Sequence, residues 1–319
     1  MKRLLILLLV IGLVATASLA QKRTAQKRTA TRVAGNAVLW EPVNIAERDL
    51  FNGPGGEAMA PDVSTIKFIK KQTGGHQKKY VVEDASGRRW VAKLGSEARP
   101  ETAAVRLLWA LGYKTEINYL VPTVTIPTKG TFQNVRFEAR PDNIERIGNW
   151  KWKSNPFLGT KQLQGLKILQ VLMTNWDVVD IQNQILEVNG PRGPVRHYII
   201  SDLGATFGKY GNNNLPIFYR LGRKTGSPKH YSRASFIKGV KNGRIEFAVK
   251  GKNRGIYKDI TVAHGRWLAD LLLQLSDKQL MDMFLAANYS DEEADMFKAA
   301  LKRRIVELDQ ATSLRLAQK

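Results

Sequence analysis

The sequence predicts an α+β protein of two lobes, with a β-rich lobe first and a mainly helical lobe after it. Short segments that alternate apolar and polar residues, separated by turn residues, fill residues 64–140. In residues 141–310, apolar residues recur mostly at helical spacing. The chain has 319 residues and a hydrophobic fraction of 43%, which suffices for a packed core and excludes wholesale disorder.

The N-terminus has the pattern of a secretory signal peptide. Residues 1–20 begin with basic residues, continue with the apolar run Leu4–Val14, and end with the small residues Ser18 and Ala20 before a cleavage site. We therefore expect an exported protein, periplasmic or secreted, with no stable transmembrane span after cleavage. An uncleaved anchor is the alternative.

Three further segments lie outside the predicted lobes. Residues 21–37 contain the repeat QKRTAQKRTA, which indicates a basic flexible linker. Residues 38–63 carry the motif NGPGG and little periodicity, so we expect a segment that straps across the surface. Residues 311–319 form a short tail.

Composition limits the chemistry. The 50 Lys and Arg residues against 28 Asp and Glu give a net charge of +22, which favours anionic partners such as nucleotides or an acidic polymer of the cell envelope. Export argues against genomic DNA as a partner. The absence of cysteine excludes disulfides, thiolate metal sites and cysteine nucleophiles, and four scattered histidines argue against a two-histidine helical metal site.

The first lobe is predicted to contain five strands and one helix. The strands are Ser64–Lys70, Lys79–Glu83, Arg89–Leu94, Tyr119–Ile126 and Val135–Ala139. A helix begins at Pro100, because proline is favoured in the first turn, and it ends at Gly112.

The second lobe is predicted to open with a helix over Gly159–Thr174. A strand pair follows over Ile185–Val188 and His197–Ile200, joined by a glycine-containing turn. Residues 208–258 form a basic loop insertion with short β pieces, and helices fill the rest of the lobe from Val262.

One group of candidate residues lies in the first lobe. The turn between the first two strands contains Gly74, Gly75, His76, Gln77 and Lys78. Glycine lets backbone N–H groups approach phosphates closely, although an ordinary turn explains it too. Lys93 would add a positive charge to the same cleft, or be an exposed strand lysine. Glu101 could form an ion pair with Lys93, and Glu97 is an alternative partner for that lysine. Glu101 could instead be an ordinary first-turn acid, which the helix dipole favours.

A second group of candidates follows the first helix of the second lobe. Asp177, Asp180 and Asn183 lie between that helix and a strand, and Asp202 follows the next strand in the run Ser-Asp-Leu-Gly. Phosphoryl transfer requires one aspartate for the acceptor hydroxyl, and an asparagine with a second aspartate on Mg²⁺. Either Asp177 or Asp180 could be the first aspartate, and ordinary turn residues are the alternative interpretation.

Taken in their order along the chain, these two groups of candidate residues resemble the motifs of a protein-kinase-like fold. The fold is of the type found in HipA-like bacterial kinases and their phosphatidylinositol-kinase relatives. The resemblance covers roughly residues 64–305. The whole chain also resembles an uncharacterised family of exported bacterial proteins.

The resemblance implies ATP and Mg²⁺ as ligands and assigns roles to the candidates. Gly74 and Gly75 would cover the phosphates, and Lys93 would contact them while pairing with Glu101. Asp177 would orient or deprotonate the acceptor hydroxyl. Asn183 and Asp202 would bind Mg²⁺. The Asp177-to-Asn183 spacing is one residue longer than the family's, which keeps Asp180 open as the acid.

The expected function is ATP- and Mg²⁺-dependent phosphoryl transfer to a hydroxyl of an envelope protein, lipid or glycan. The alternative is a catalytically inactive pseudokinase, or a scaffold whose basic residues bind anionic envelope polymers.

Overall fold

The computed structural model describes residues 36–73, 77–191, 193–211 and 222–313. The predicted signal peptide, almost all of the predicted linker and most of the tail lie outside these described residues. The same is true of Gly74, Gly75 and His76. Within the described residues the α+β prediction is confirmed, because a five-stranded sheet comes first and a mainly helical part follows.

Residues 38–63, which we call the strap, precede the first lobe. Strand β1 (Ala37–Val38) pairs in parallel with a strand of the second lobe. Leu39, Ile45 and Leu50 are buried, so the strap contributes side chains to the core. Buried Arg106 donates to the carbonyl of Phe51 at 3.2 Å, which attaches the strap to the first lobe.

The first lobe is built on an antiparallel sheet in the order β2-β3-β4-β6-β5. Its strands are β2 (Lys67–Gln72), β3 (Lys79–Glu83), β4 (Arg89–Lys93), β5 (Asn118–Ile126) and β6 (Gly130–Ala139). Val82, Trp90 and Phe137 are fully buried on one face of this sheet. The alternating pattern that predicts the strands therefore also supplies the lobe's own core.

Helix α1 (Ala98–Ala110) connects β4 with β5. It begins two residues before the predicted start, with Pro100 in its first turn, where a missing N–H costs no intrahelical bond. Gly112 follows with a φ of 92°, a conformation that favours glycine and ends the helix. Nearly every residue of α1 is buried, so the helix packs between the sheet and the second lobe.

The second lobe contributes three strands to a four-stranded sheet that β1 completes, and it contains a hairpin and five α-helices within its described residues. The sheet runs β1-β9-β8-β7, with β7 (Ile144–Asn149), β8 (Asn183–Gly190) and β9 (Gly193–Ile200); the hairpin is β10 (Ile237–Lys241) and β11 (Arg244–Phe247). The helices are α2 (Lys161–Leu172), α3 (Pro228–Arg233), α4 (Val262–Leu272), α5 (Asp277–Leu285) and α6 (Asp291–Ser313).

Side-chain caps start several helices of this lobe, and the cap at Ser276 is one that the sequence indicates. The Ser276 hydroxyl accepts from the N–H of Gln279, whose side chain accepts from the N–H of Ser276. Thr160 caps α2 in the simpler way, by accepting from the N–H of Leu163. Each cap satisfies backbone donors that the first turn leaves unpaired.

None of the helices within residues 36–73, 77–191, 193–211 and 222–313 is long and apolar enough to cross a membrane.

Candidate functional site

A cavity of about 480 Å³ lies between the sheet of the first lobe and the turns that flank the β8–β9 hairpin. Its size is within the range of small-molecule sites. Its lining includes Gln77, Val91, Lys93, Glu97, Arg136, Glu138, Asp177, Ile181, Gln182, Asp202 and Lys252. Residues from distant parts of the chain therefore meet in one cleft.

Lys93 lies at the centre of this cleft and is only 3% exposed. Its ammonium is 2.8 Å from Oε2 of Glu101, 3.3 Å from Oδ1 of Asp202 and 3.4 Å from Oε2 of Glu97. The structure thus brings Lys93 to both of the glutamates that the sequence proposes as its partner. Glu101 makes the shorter contact and is itself buried.

The surroundings of Lys93 and Glu101 shift the pKa values of both side chains. Burial acts to lower the pKa of Lys93, but the carboxylates of Glu101 and Asp202 outweigh it and raise that pKa above its ordinary value. Burial raises the pKa of Glu101, and the cations of Arg136 and Lys93 oppose that effect. Lys93 is therefore a fixed positive charge, held extended toward the cleft.

Arg136 is a second buried cation beside the pair. It lies opposite Lys93 in the register of β4 and β6, and its Nε is 3.3 Å from Oε2 of Glu101. Its Nη2 donates to Oε2 of Glu138 at 2.7 Å, and Arg146 reaches the other oxygen of Glu138 at 2.7 Å. These residues form a continuous ion-pair cluster along one wall of the cleft.

Asp202 follows β9 and faces the cleft, with 41% of its side chain exposed. The N–H of Gly204 donates to its Oδ1 at 3.3 Å. A Cβ on Gly204 would lie 2.5 Å from Cβ of Glu97, so only glycine allows this turn to pack against the start of α1. The turn therefore places the Asp202 carboxylate beside Lys93.

Asp177 also lines the cleft, in an ion pair with Lys252. The side-chain amide of Gln182 donates to its Oδ2 at 3.0 Å. A Cβ on Gly251 would lie 2.9 Å from the backbone of Trp176, so glycine at this position lets the Lys252 segment pack against the Asp177 loop. The N–H of Lys252 also donates to the carbonyl of Trp176 at 3.1 Å.

Four of the predicted site residues that the structure describes do not line the cleft: Lys78, Glu101, Asp180 and Asn183. Glu101 lies behind Lys93 as its buried partner. Asp180 turns away from the cleft, and its Oδ1 accepts from the backbone N–H of Trp152 at 3.0 Å. Asn183 is 1% exposed, and its amide donates to the carbonyl of Trp150 at 3.2 Å. Gln182, one residue earlier, lines the cleft instead, because the 3₁₀ turn Asp180–Gln182 ends there and β8 begins at Asn183.

The predicted glycine-rich turn is described only in part. Gln77 lines the cleft, whereas Lys78 is exposed and Lys79, its neighbour in β3, lines the cleft in its place. Gly74, Gly75 and His76 lie outside the described residues.

The cleft offers oxygen ligands of the kind that Mg²⁺ prefers. Mg²⁺ in phosphate-transferring sites takes one or two carboxylates and completes its coordination with substrate phosphates and water. The Asp202 carboxylate, partly exposed to the cleft, and the amide oxygen of Gln182 fit that donor set. Among the described residues there is no group of three or more His, Asp or Glu side chains that could hold a metal ion by itself.

No protein-family model and no curated protein matches this chain. Among solved structures, the Helicobacter pylori proinflammatory kinase CtkA is 10% identical, with a TM-score of 0.49, over 81% of this chain and 98% of its own. The Rio2 kinase of Chaetomium thermophilum, in a complex with ADP/Mg²⁺ and phosphoaspartate, is 10% identical, with a TM-score of 0.30, over 76% of this chain and 71% of its own.

Both structures are kinases. At these identities and TM-scores the likeness assigns no role to any residue. The finer resemblances, to HipA-like kinases, phosphatidylinositol kinases and an exported family, stay predictions.

Three of the cleft residues that the sequence did not indicate are Arg136, Gln182 and Lys252. Arg136 is separated from Lys93 by more than forty residues and becomes its neighbour only through strand register. Gln182 takes the place expected for Asn183. Lys252 belongs to the basic insertion, and nothing in the sequence distinguishes it from the many other lysines there.

Proposed function

We propose that this protein is a phosphotransferase that moves the γ-phosphoryl group of ATP to a hydroxyl of an envelope protein, lipid or glycan, with Mg²⁺ as cofactor. One observation carries the proposal: buried Lys93, fixed by Glu101, lies in the same cavity as the carboxylates of Asp202 and Asp177. Phosphoryl transfer depends on positioned charges of this kind.

The residues divide the work as follows. Lys93 and Lys252, which both line the cleft, offset the negative charge of the phosphates. Asp202 and Gln182 are the candidate ligands of Mg²⁺, which when bound supplies further electrostatic stabilisation of the transferred group. Ile181, which is 77% exposed at the cleft, and Val91 offer apolar contacts to a nucleotide base.

Asp177 is the candidate general base. The acceptor oxygen attacks the γ-phosphorus, and the bond from that phosphorus to the bridging oxygen breaks, so that ADP leaves with the electron pair. The hydroxyl proton passes to the Asp177 carboxylate. Asp180 is not assigned this role, because its carboxylate accepts from the Trp152 backbone outside the cleft.

A matched pair of variants tests this assignment. Asp177→Asn and Asp180→Asn each remove one charge from the same loop. With water as the acceptor hydroxyl in place of the envelope substrate, we expect the parent protein to form ADP and phosphate from ATP and Mg²⁺. The rate should fall at least about 100-fold in folded Asp177→Asn and by less in folded Asp180→Asn. Absence of ADP formation in the parent, or equal rates in the parent and Asp177→Asn, would contradict the assignment.

The proposal places the activity outside the cytoplasm, in the periplasm or the medium, on the strength of the signal-peptide pattern in residues 1–20. N-terminal sequencing of the full chain expressed in a bacterial host tests this part. A mature protein that starts at Gln21 in an exported fraction supports export, and an intact N-terminus in the cytoplasm contradicts it.

A second candidate function is binding without catalysis, as a pseudokinase or a scaffold for anionic envelope polymers. The ion pair between Asp177 and Lys252 favours it, because it occupies the candidate base. A groove of about 420 Å³ beside the β10–β11 hairpin offers a basic surface for such a polymer; its cations are Lys238, Lys241, Arg244, Arg254 and Lys258. ADP formation that depends on Asp177 would exclude this candidate.

A further inference from the structure

A second cavity, of about 500 Å³, lies behind the cleft; we call it the rear cavity. Glu138 lines the cleft and Ala139, the next residue of β6, lines the rear cavity, because successive strand residues point to opposite faces. Arg140 and Arg146 line both cavities. The ion-pair cluster is therefore the wall between two separate sites.

Part of the wall of the rear cavity is apolar, and charged side chains form much of the rest. The walls are contributed by the strap, the end of α1 and its following turn, and the strands β7 and β8. The apolar lining residues are Pro54, Trp109, Ile117, Ala139, Pro141, Ile144, Leu186 and Val188. Such a lining favours a ligand with an apolar body of small-molecule size.

Most charges of the rear cavity are compensated. Lys114 pairs with Glu41, and Arg146 pairs with both Glu116 and Glu138. Arg140 also pairs with Glu138. Acidic Glu145 also lines the cavity and is exposed to water.

Arg48 is the exception. Within the described part of the chain, no carboxylate lies within ion-pair distance of its guanidinium. The guanidinium carbon stands 4.3 Å from the centroid of the Trp109 ring. This stacking orients the cation without neutralising it. Glu41, which pairs directly with Lys114, acts on Arg48 only at longer range, and burial outweighs it and lowers the pKa of Arg48.

The backbone of Arg48 is also held in place. Buried Gln279 of α5 donates to the carbonyl of Arg48 at 2.9 Å and to that of Ile45 at 2.7 Å. The strap is thus fixed where Arg48 meets the cavity. The site is preformed, which lowers the entropic cost of binding.

His197 adds a neutral polar group to the same lining. Burial, together with the nearby cation of Lys114, lowers its pKa to about 4, so the imidazole is uncharged at neutral pH. An uncharged imidazole can donate or accept a hydrogen bond without adding a second positive charge.

We propose that the rear cavity binds a small organic anion with a flat apolar body, of the class of aromatic carboxylates. The carboxylate pairs with Arg48, and the ring lies against the apolar walls. This site is separate from the proposed nucleotide site, and its occupancy does not require that the protein transfer phosphate.

Isothermal titration of the full chain with 2-naphthoate tests the proposal, with uncharged 2-naphthamide as the matched ligand. We expect 2-naphthoate to bind, and 2-naphthamide to bind at least about tenfold more weakly, because it lacks the charge that pairs with Arg48. Absence of 2-naphthoate binding at millimolar concentration, or equal affinity for the two compounds, would overturn the proposal.

Variants locate the site. Arg48→Gln should weaken 2-naphthoate binding at least about tenfold, whereas Arg88→Gln, at an exposed arginine of the β3–β4 turn, should leave it unchanged. Ile144→Trp should fill the cavity and block binding.

Asp202→Asn, in the cleft, should leave 2-naphthoate binding intact. Full affinity in folded Arg48→Gln, or loss of affinity in Asp202→Asn, would overturn the assignment to the rear cavity.

Discussion

Lys93 and Arg136 lie directly opposite each other on β4 and β6, and both contact the same oxygen of Glu101, at 2.8 Å and 3.3 Å. Like charges facing each other across two strands repel. The Glu101 carboxylate, supplied by α1, compensates both cations. One buried acid therefore fixes the helix to the sheet and holds the lysine at the cleft.

Replacing Lys93 should cost both stability and nucleotide affinity. Lys93→Met leaves the buried carboxylate of Glu101 with one cation fewer, so we expect the free energy of unfolding to fall by roughly 3 kcal/mol. ATP affinity should fall at least about tenfold, because a fixed charge facing the phosphates is lost. Chemical denaturation and ATP titration measure the two effects.

A double variant separates these effects. In Lys93→Met/Glu101→Gln the uncompensated carboxylate is gone, so most of the lost stability should return while ATP affinity stays low. Recovery of ATP affinity together with stability would show that Lys93 serves only the fold.

Gln182 and Asn183 should behave differently, although they are adjacent amides. Gln182→Ala should weaken Mg²⁺-dependent ATP binding with little effect on stability, because Gln182 lines the cleft. Asn183→Ala should destabilise the fold by about 1–3 kcal/mol, because a buried hydrogen bond to the Trp150 carbonyl is lost. ATP titration and denaturation of the two variants check this, and the reverse pattern would restore Asn183 as the candidate metal ligand.

Lys252 should assist transfer rather than block it. Lys252→Ala removes a cation from the cleft, so the rate of ADP formation should fall by about 10- to 100-fold. Lys258→Ala, at an exposed lysine of the same basic insertion, is the control and should leave the rate unchanged. A faster rate in Lys252→Ala would show instead that the ion pair with Asp177 inhibits the protein.

His197 should make the fold sensitive to acid. The unfolded chain takes up the imidazole proton near the ordinary pKa of 6.5, whereas the folded protein resists protonation down to about 4. Between these values the unfolded state binds more protons, so the free energy of unfolding falls as pH falls. His197→Asn should reduce this loss, on the order of 1–2 kcal/mol between about pH 7 and pH 4. Denaturation at several pH values measures it, and identical pH dependence in the parent and the variant would rule out His197 as the source of the acid sensitivity.

Most elements of the fold could be predicted from local sequence. The period-two pattern places β3 at its observed bounds, and the Ser276 cap places the start of α5. Strand β7 was not predicted, because a register shift between Arg146 and Gly148 breaks the alternation that would reveal it. Strand β1 has only two residues and depends on its partner β9.

The candidate site could be predicted only in part, and the reason is again structural. Lys93, Glu101 and Asp202 belong to ordered elements or their ends, so the motif order indicates where they lie. Whether Gln182 or Asn183 faces the cleft depends on where a single 3₁₀ turn ends, which residue identity does not reveal. Lys252 reaches Asp177 from a segment whose approach depends on tertiary packing.

Mg²⁺-dependent binding of ATP tests the proposed nucleotide site most directly. Isothermal titration of the full chain with ATP, with and without Mg²⁺, compares the parent with Asp202→Asn and with the control Asp180→Asn, which lies outside the cleft. We expect saturable binding that strengthens with Mg²⁺ in the parent and in Asp180→Asn, and that loses this dependence in folded Asp202→Asn. Absence of ATP binding by the parent at millimolar concentration, or the same Mg²⁺ dependence in all three proteins, would contradict the assignment of the cleft.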